Sequence, residues 1–116
     1  MVRSVLRLEG LAVLAAAVWL YFGRADGSWV LFVVLILAPD LSMIGYARNA
    51  AVGAVTYNAA HNELLAVVVI VAGELTGATL LTQLGLILAA HVGMDRFMGY
   101  GLKYTTAFKD THLQRV

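Results

Sequence analysis

The stretch "LILAPDLSMIGY", Leu35 to Tyr46, decides how this chain is read. It continues an apolar run, Trp29 to Leu37, of the kind that crosses a bilayer. Pro39 then offers no backbone N–H and crowds the carbonyl of Leu35. Asp40 adds a charge. Such a break is tolerated at membrane depth only where the freed groups are buried in protein or line a polar cavity. The Pro-Asp pair therefore predicts a kink in a spanning helix that faces polar surroundings, with Asp40 placed to use them.

The rest of the chain supports a membrane setting. Of its 116 residues, 61% are hydrophobic and 13% charged, against roughly 25% charged in a soluble domain. A chain this short cannot hide so much apolar surface in one water-soluble core. Spanning helices need about 20 mainly apolar residues. Four stretches qualify, at about 5–23, 29–47, 51–73 and 78–98, the third interrupted by "YNAAHNE". The links "RADGS", "RNAA" and "ELTG" are short, and short links join antiparallel neighbours. The expectation is an all-α, up-down four-helix bundle. It forms a single transmembrane domain over 1–116, with a short basic tail, 99–116, over one end. The first apolar run continues through Tyr21 with no small-x-small cleavage site, so it reads as a span and not as a cleaved leader.

Composition also narrows the partners. No basic patch carries interleaved aromatics, so nucleic acid is not expected. With no cysteine, disulfides and thiolate ligands are excluded. The expected partner is the lipid bilayer. Small residues around Gly53 predict close helix packing and could serve a homodimer or a larger membrane complex. Trp19, Tyr21 and Trp29 read as an aromatic belt, and Met43, Met94 and Met98 as packing. "GYG" at 99–101 lacks the Thr-Val of a potassium filter and sits at a helix end.

Orientation follows from the cations. Arg3, Arg7, Arg48, Arg96, Lys103, Lys109 and Arg115 share one side, and Arg24 alone lies on the other. Both termini are expected on the cytoplasmic side of the bacterial inner membrane.

Depth then groups the polar residues. Asp40 falls roughly 10 Å inside the cytoplasmic face, His61 roughly 15 Å and His91 roughly 10 Å. Asp95 lies one turn below His91, and Tyr57 and Asn58 lie one turn below His61. Three helices thus bring their polar groups to one depth. Intramembrane ionisable groups are expensive and face partners or wet cavities. Glu63 points about 200° away from His61 on an ideal helix, so it needs another partner or a local break.

Asp40, His61, His91 and Asp95 form a candidate N2O2 metal shell. "HVGMD" puts His91 and Asp95 at i,i+4 on one helix face. The set suits Zn²⁺, and also Mn²⁺ or Fe²⁺. An open position would hold water for attack on an ester or amide. The same residues could instead form a helix-locking network, with His91–Asp95 as an internal pair and Asp40 meeting Asn58 or Arg96.

The segments "PDLSMIGY" (39–46), "YNAAHN" (57–62), "HVGMDRFMGYGLKY" (91–104) and "FKDTHLQR" (108–115) run in order along the chain. In them the chain resembles the small bacterial membrane family known as domain of unknown function 4260. The resemblance implies a four-helix membrane protein with no established activity. The chain departs from the family at Leu64-Leu65-Ala66 and at Thr105, where proline is frequent. A partial resemblance to membrane-bound metal-dependent hydrolases implies Asp40, His61, His91 and Asp95 as ligands, and does not reach His112. Here the chain has Leu41-Ser42 in place of an acidic pair, and no second histidine near His61.

Three functions are open on these residues. The first is a metal-dependent hydrolase at the cytoplasmic leaflet, in which Tyr57, Asn58, Tyr100, Arg96 and Lys103 could orient or hold substrate. The second is a proton or ion transport element continuing through Glu63 and Glu74. The third is an accessory membrane subunit, which could hold haem between His61 and His91.

Overall fold

Side-chain caps set most of the helix starts. Ser28, Asn49, Asn62 and Thr111 each accept a hydrogen bond from a backbone N–H in the first turn that follows. Each such cap is worth about 1 kcal/mol. The computed structural model, which describes residues 1–116, is helical with no strand. Its elements are α1 (Val2–Gly23), α2 (Trp29–Leu35), a 3-10 segment (Ala38–Ala47), α3 (Ala50–Ala60), α4 (Glu63–Thr76), α5 (Thr79–Met98) and α6 (His112–Arg115). Gly77 and Gly99 close α4 and α5 in the left-handed region, at φ +70° and +103°, where glycine carries no Cβ penalty.

Two stretches expected as single spans are broken. At Pro39 the α-helix gives way to 3-10 turns. At His61–Asn62 the chain leaves helical geometry and restarts at Glu63. That second break is one of the two outcomes the awkward direction of Glu63 leaves open. Val2–Gly23, Trp29–Ala47 and Ala50–Thr76 are long and apolar enough to cross a membrane. The fourth stretch forms α5 where expected but does not match their apolarity, because Thr82, Gln83, His91, Asp95 and Arg96 dilute it. The physical reason lies in its position. α5 packs against both α1 and α4, and 10 of its 20 residues are buried, so its polar groups meet protein.

Small residues make these contacts close. α1 and α5 run antiparallel and cross at Gly10 and Gly93, where a Cβ on Gly93 would lie 2.7 Å from the Gly10 carbonyl oxygen. Ala17, Ala66, Ala89 and Ala90 form the core beside that crossing. Gly53 of α3 lies against the Tyr46 ring of the 3-10 segment. Toward the other end, buried Tyr21 packs with Leu86 and Ile87 and donates its hydroxyl to the Ser28 carbonyl at 2.6 Å. The outward faces are apolar: Val33, Val34, Leu41, Ile44, Val68 and Leu75 are all exposed. Only 24 of 116 residues are buried, an exterior suited to lipid and unlike that of a soluble monomer.

The tail is fastened over one end. Asn58 accepts the Lys103 N–H at 2.6 Å and donates to the Lys103 carbonyl at 2.7 Å. Arg3 donates to the Leu113 and Gln114 carbonyls, and Arg7 to that of Phe97. Lys103 and Thr111 form one antiparallel bridge. Hydrogen bonds from Arg115 and Thr106 hold the Asp110 carboxyl down to about 2. His112 accepts the Leu102 N–H at Nδ1, 2.8 Å away. Burial, with the nearby Arg96 charge, keeps its imidazole below the usual range, so it staples the tail as a neutral ring.

Candidate metal centre

Each helix break frees a carbonyl, and each freed carbonyl orients a histidine. In a continuous α-helix the Ile36 oxygen would accept the N–H of residue 40. Here the Asp40 N–H turns to Leu37 O, at 3.0 Å, and the Ile36 carbonyl instead accepts from His91 Nδ1. The Tyr57 oxygen would likewise accept the N–H of residue 61. The His61 N–H turns to Asn58 O, at 3.4 Å, and His61 Nδ1 donates to Tyr57 O at 2.9 Å. Ser42 Oγ stands 3.4 Å from the same nitrogen and donates to Pro39 O.

This fixes the tautomers. A carbonyl only accepts, so each Nδ1 carries its hydrogen, and each neutral ring presents a bare Nε2 lone pair. The two Nε2 atoms are 3.0 Å apart. Asp40 Oδ1 lies 2.9 Å from His61 Nε2 and 3.1 Å from His91 Nε2. Asp95 Oδ2 lies 3.6 Å and 3.2 Å from the same two nitrogens. All four atoms fall within 4.8 Å of one another. Both histidines are fully buried, and Asp95 is 7% exposed. With both rings neutral, four acceptors converge, and the Tyr57 hydroxyl donates to Asp95 Oδ2 from 3.3 Å.

Such a set requires positive charge at its centre. Unpaired buried charge costs about 3–5 kcal/mol, and facing lone pairs add repulsion. A tetrahedral shell with bonds of about 2.0–2.2 Å has ligand–ligand edges of roughly 3.3–3.6 Å. Five of the six separations, 2.9–3.6 Å, lie within or just below that range, and the remaining pair lies within 4.8 Å, so a divalent ion would draw the two carboxylates together. The donor set suits Zn²⁺, Mn²⁺ or Fe²⁺, as its residue types imply.

The neighbours hold this geometry. The Tyr57 ring stacks on His61, with centroids 3.7 Å apart and planes 6° from parallel. Arg96 donates to the His61 carbonyl and the Tyr100 carbonyl, both at 2.9 Å, capping the end of α3. Asn58 is committed to the Lys103 backbone. Of the residues expected to handle substrate, Tyr57 therefore touches the cluster directly, while Arg96 and Asn58 are engaged with backbone. His91 and Asp95 stand 3.2 Å apart, the internal pair a helix-locking network would have, while Asp40 meets the two histidines and neither Asn58 nor Arg96. The His61 and His91 Nε2 atoms stand 3.0 Å apart with carboxylate oxygens beside both, a donor set that suits a divalent ion better than a haem face. Glu63 begins α4 with Oε1 buried and unpartnered, apart from the four clustered residues.

The cluster opens onto a cleft of about 300 Å³, whose wall includes Asp40, Asp95, Tyr57, Lys103 and the three methionines 43, 94 and 98. These methionines, expected to be packing, thus border open space. A larger groove of about 740 Å³ lies at the opposite end, with Arg24, Asp26 and Glu74 on its wall. The apolar cores around Ala66, Ala89 and Leu86 separate the two.

Pro39 is central to this arrangement, which makes Pro39→Ala informative. An unbroken helix would reclaim the Ile36 carbonyl and rotate Asp40. Loss of a hydrogen bond that orients a ligand costs roughly 10–100-fold in metal affinity. A zinc-competition titration should register that loss, and unchanged affinity would mean that the break is not what positions Asp40 and His91.

Comparison with curated proteins and with solved structures gives no match. A match does come at the level of family. It spans the Pro-Asp break, the broken third stretch, the His91–Asp95 face and the fastened tail together. The chain belongs to the family described as Domain of unknown function (DUF4260), whose model matches residues 3–116.

Proposed function

We propose that this protein is a membrane-embedded metal-dependent hydrolase whose centre is Asp40, His61, His91 and Asp95. The observation that carries the reading is the convergence of two histidine Nε2 atoms, each on a ring whose Nδ1 donates to a backbone carbonyl, and two carboxylate oxygens within 4.8 Å of one another. In this reading the chain forms an antiparallel four-helix bundle in the bacterial inner membrane. The seven cations on one side put both termini in the cytoplasm.

A bound divalent ion would supply Lewis acidity and an activated water. The chain's own residues do the rest. Tyr57 holds Asp95 by its hydroxyl and His61 by its ring. Arg96 fixes the carbonyl end of α3. Asn58 fixes the tail that closes the cleft. The cleft admits substrate from the cytoplasmic side, with the methionines against its apolar part. A transport pathway is less well supported, because apolar cores divide the two polar ends of the molecule.

The test is metal content. The protein is purified in mild detergent without a histidine tag and analysed by mass spectrometry beside His61→Ala and Asp95→Ala. The expected result is about one metal per chain, lost in both variants. A chain that takes up no Zn²⁺, Mn²⁺ or Fe²⁺ on incubation would sink the hydrolase and leave the cluster a protonated helix-locking network.

A further inference from the structure

Lys103 is an unusual lysine. It is 5% exposed, yet it lines the cleft beside the cluster. Its backbone is pinned by Asn58 on one side and paired with Thr111 on the other. Its ammonium sits 3.7 Å from the centroid of the Phe108 ring and 4.6 Å from that of Tyr57. No side chain or carbonyl accepts a hydrogen bond from it, and it joins no ion pair. Two aromatic faces attract a cation but leave all three N–H donors unused. Burial lowers its affinity for the proton, and the charge of Asp95 counters that effect.

Charge counting gives the consequence. The carboxyl and ammonium groups on the cleft wall are those of Asp40, Asp95 and Lys103. With both carboxylates ionised and the lysine protonated, the wall carries −1. A divalent ion held by the four ligands brings it to +1. The sign of the cleft thus depends on whether the centre is loaded.

We propose that Lys103 makes the cleft a metal-gated site for an oxyanion, of the phosphate class, carried on an apolar body. This rests on the metal-centre reading above. With the metal in place, the two carboxylates are neutralised by the ion and the Lys103 donors are free for phosphate oxygens. Without it, the carboxylates repel the anion. The apolar remainder of the ligand meets Leu37, Phe108 and the three methionines. Phosphate oxygens on a lipid headgroup and on free phosphate present the same chemistry to the ammonium, and the apolar wall favours the former.

Linkage makes the proposal measurable, because an anion that binds only the loaded site must tighten the metal by the same factor. The experiment measures Zn²⁺ affinity with a competing zinc dye, in nonionic detergent, with and without dodecyl phosphate, dodecanol or inorganic phosphate. For the wild type we expect dodecyl phosphate to tighten Zn²⁺ at least tenfold and dodecanol to leave it unchanged. Lys103→Gln should bind Zn²⁺ no more weakly than the wild type in the absence of amphiphile, because a nearby positive charge is gone, which reports an intact centre, and should lose the tightening. Lys103→Arg, which keeps the charge, should retain it. Tightening by inorganic phosphate at similar concentration would assign the site to free phosphate. Tightening by dodecyl phosphate alone would assign it to a lipid-like ester. Equal tightening in Lys103→Gln, or none in the wild type, overturns the anion site while leaving the metal centre standing. A wild type that binds none of Zn²⁺, Mn²⁺ and Fe²⁺ overturns the metal centre itself.

Discussion

Chelation should lower the melting temperature of the metal-loaded protein by roughly 10–20 °C, and should leave His91→Ala where it already melts. A ligand present at a thousand times its dissociation constant stabilises the folded state by about 4 kcal/mol. For a chain of this length each kcal/mol moves the midpoint by about 3–5 °C. The effect should be large because the four acceptors are brought together by three separate elements: Asp40 from the 3-10 segment, His61 from the end of α3, and His91 and Asp95 from α5. A cation in their midst turns mutual repulsion into a cross-link between those elements. His91→Ala removes a ligand that lies within 3.2 Å of both Asp40 and Asp95, so its melting should no longer respond to metal or chelator. The measurement is a thermal scan in detergent with and without chelator. A wild-type protein indifferent to the chelator would contradict the cross-link.

Gly93→Leu is expected to destabilise the fold by more than about 3 kcal/mol, beyond the usual cost of overpacking. At this crossing a Cβ would meet the Gly10 carbonyl at 2.7 Å and the Leu14 nitrogen at 2.8 Å. Both are backbone of α1, and neither can swing aside as a side chain would. The two helices must separate, and the Ala17, Ala89 and Ala90 core beside them opens. The separation should also move His91 and Asp95 away from Asp40. Gly77→Ala is the calibrating variant. Its φ is +70° with nothing within 4 Å of the added carbon, so it should cost only about 1–2 kcal/mol of left-handed backbone strain. Thermal scans and size-exclusion profiles of the two variants should differ sharply. Similar behaviour would mean that α1 and α5 do not need their close approach.

The order of residues dictates the class and the ingredients. Long apolar runs with few charges allow little else than helices able to cross a membrane, because a charge-poor chain of this length cannot cover them. Pro39 marks one break through its missing N–H, and the direction of Glu63 leaves a second break as one of two options. The i,i+4 spacing of His91 and Asp95, and the similar depths of Asp40 and His61, make the four-residue cluster legible in the chain itself. Those are local properties, set by helical rise and residue chemistry.

Relations between elements distant in sequence depend instead on how the helices pack. The partner of His91 Nδ1 is a backbone carbonyl of Ile36, and no side-chain pattern announces a carbonyl released by a change from α to 3-10 turns. The commitment of Arg96 to the His61 carbonyl and of Asn58 to the Lys103 backbone follows from where α3 ends and where the tail returns. The crossing of Gly10 with Gly93 depends on which faces of α1 and α5 meet, and two glycines far apart in the chain carry no mark of being neighbours. α5 can remain the most polar of the expected spans because its neighbours bury it. Composition counts its polar groups, but packing decides what they face.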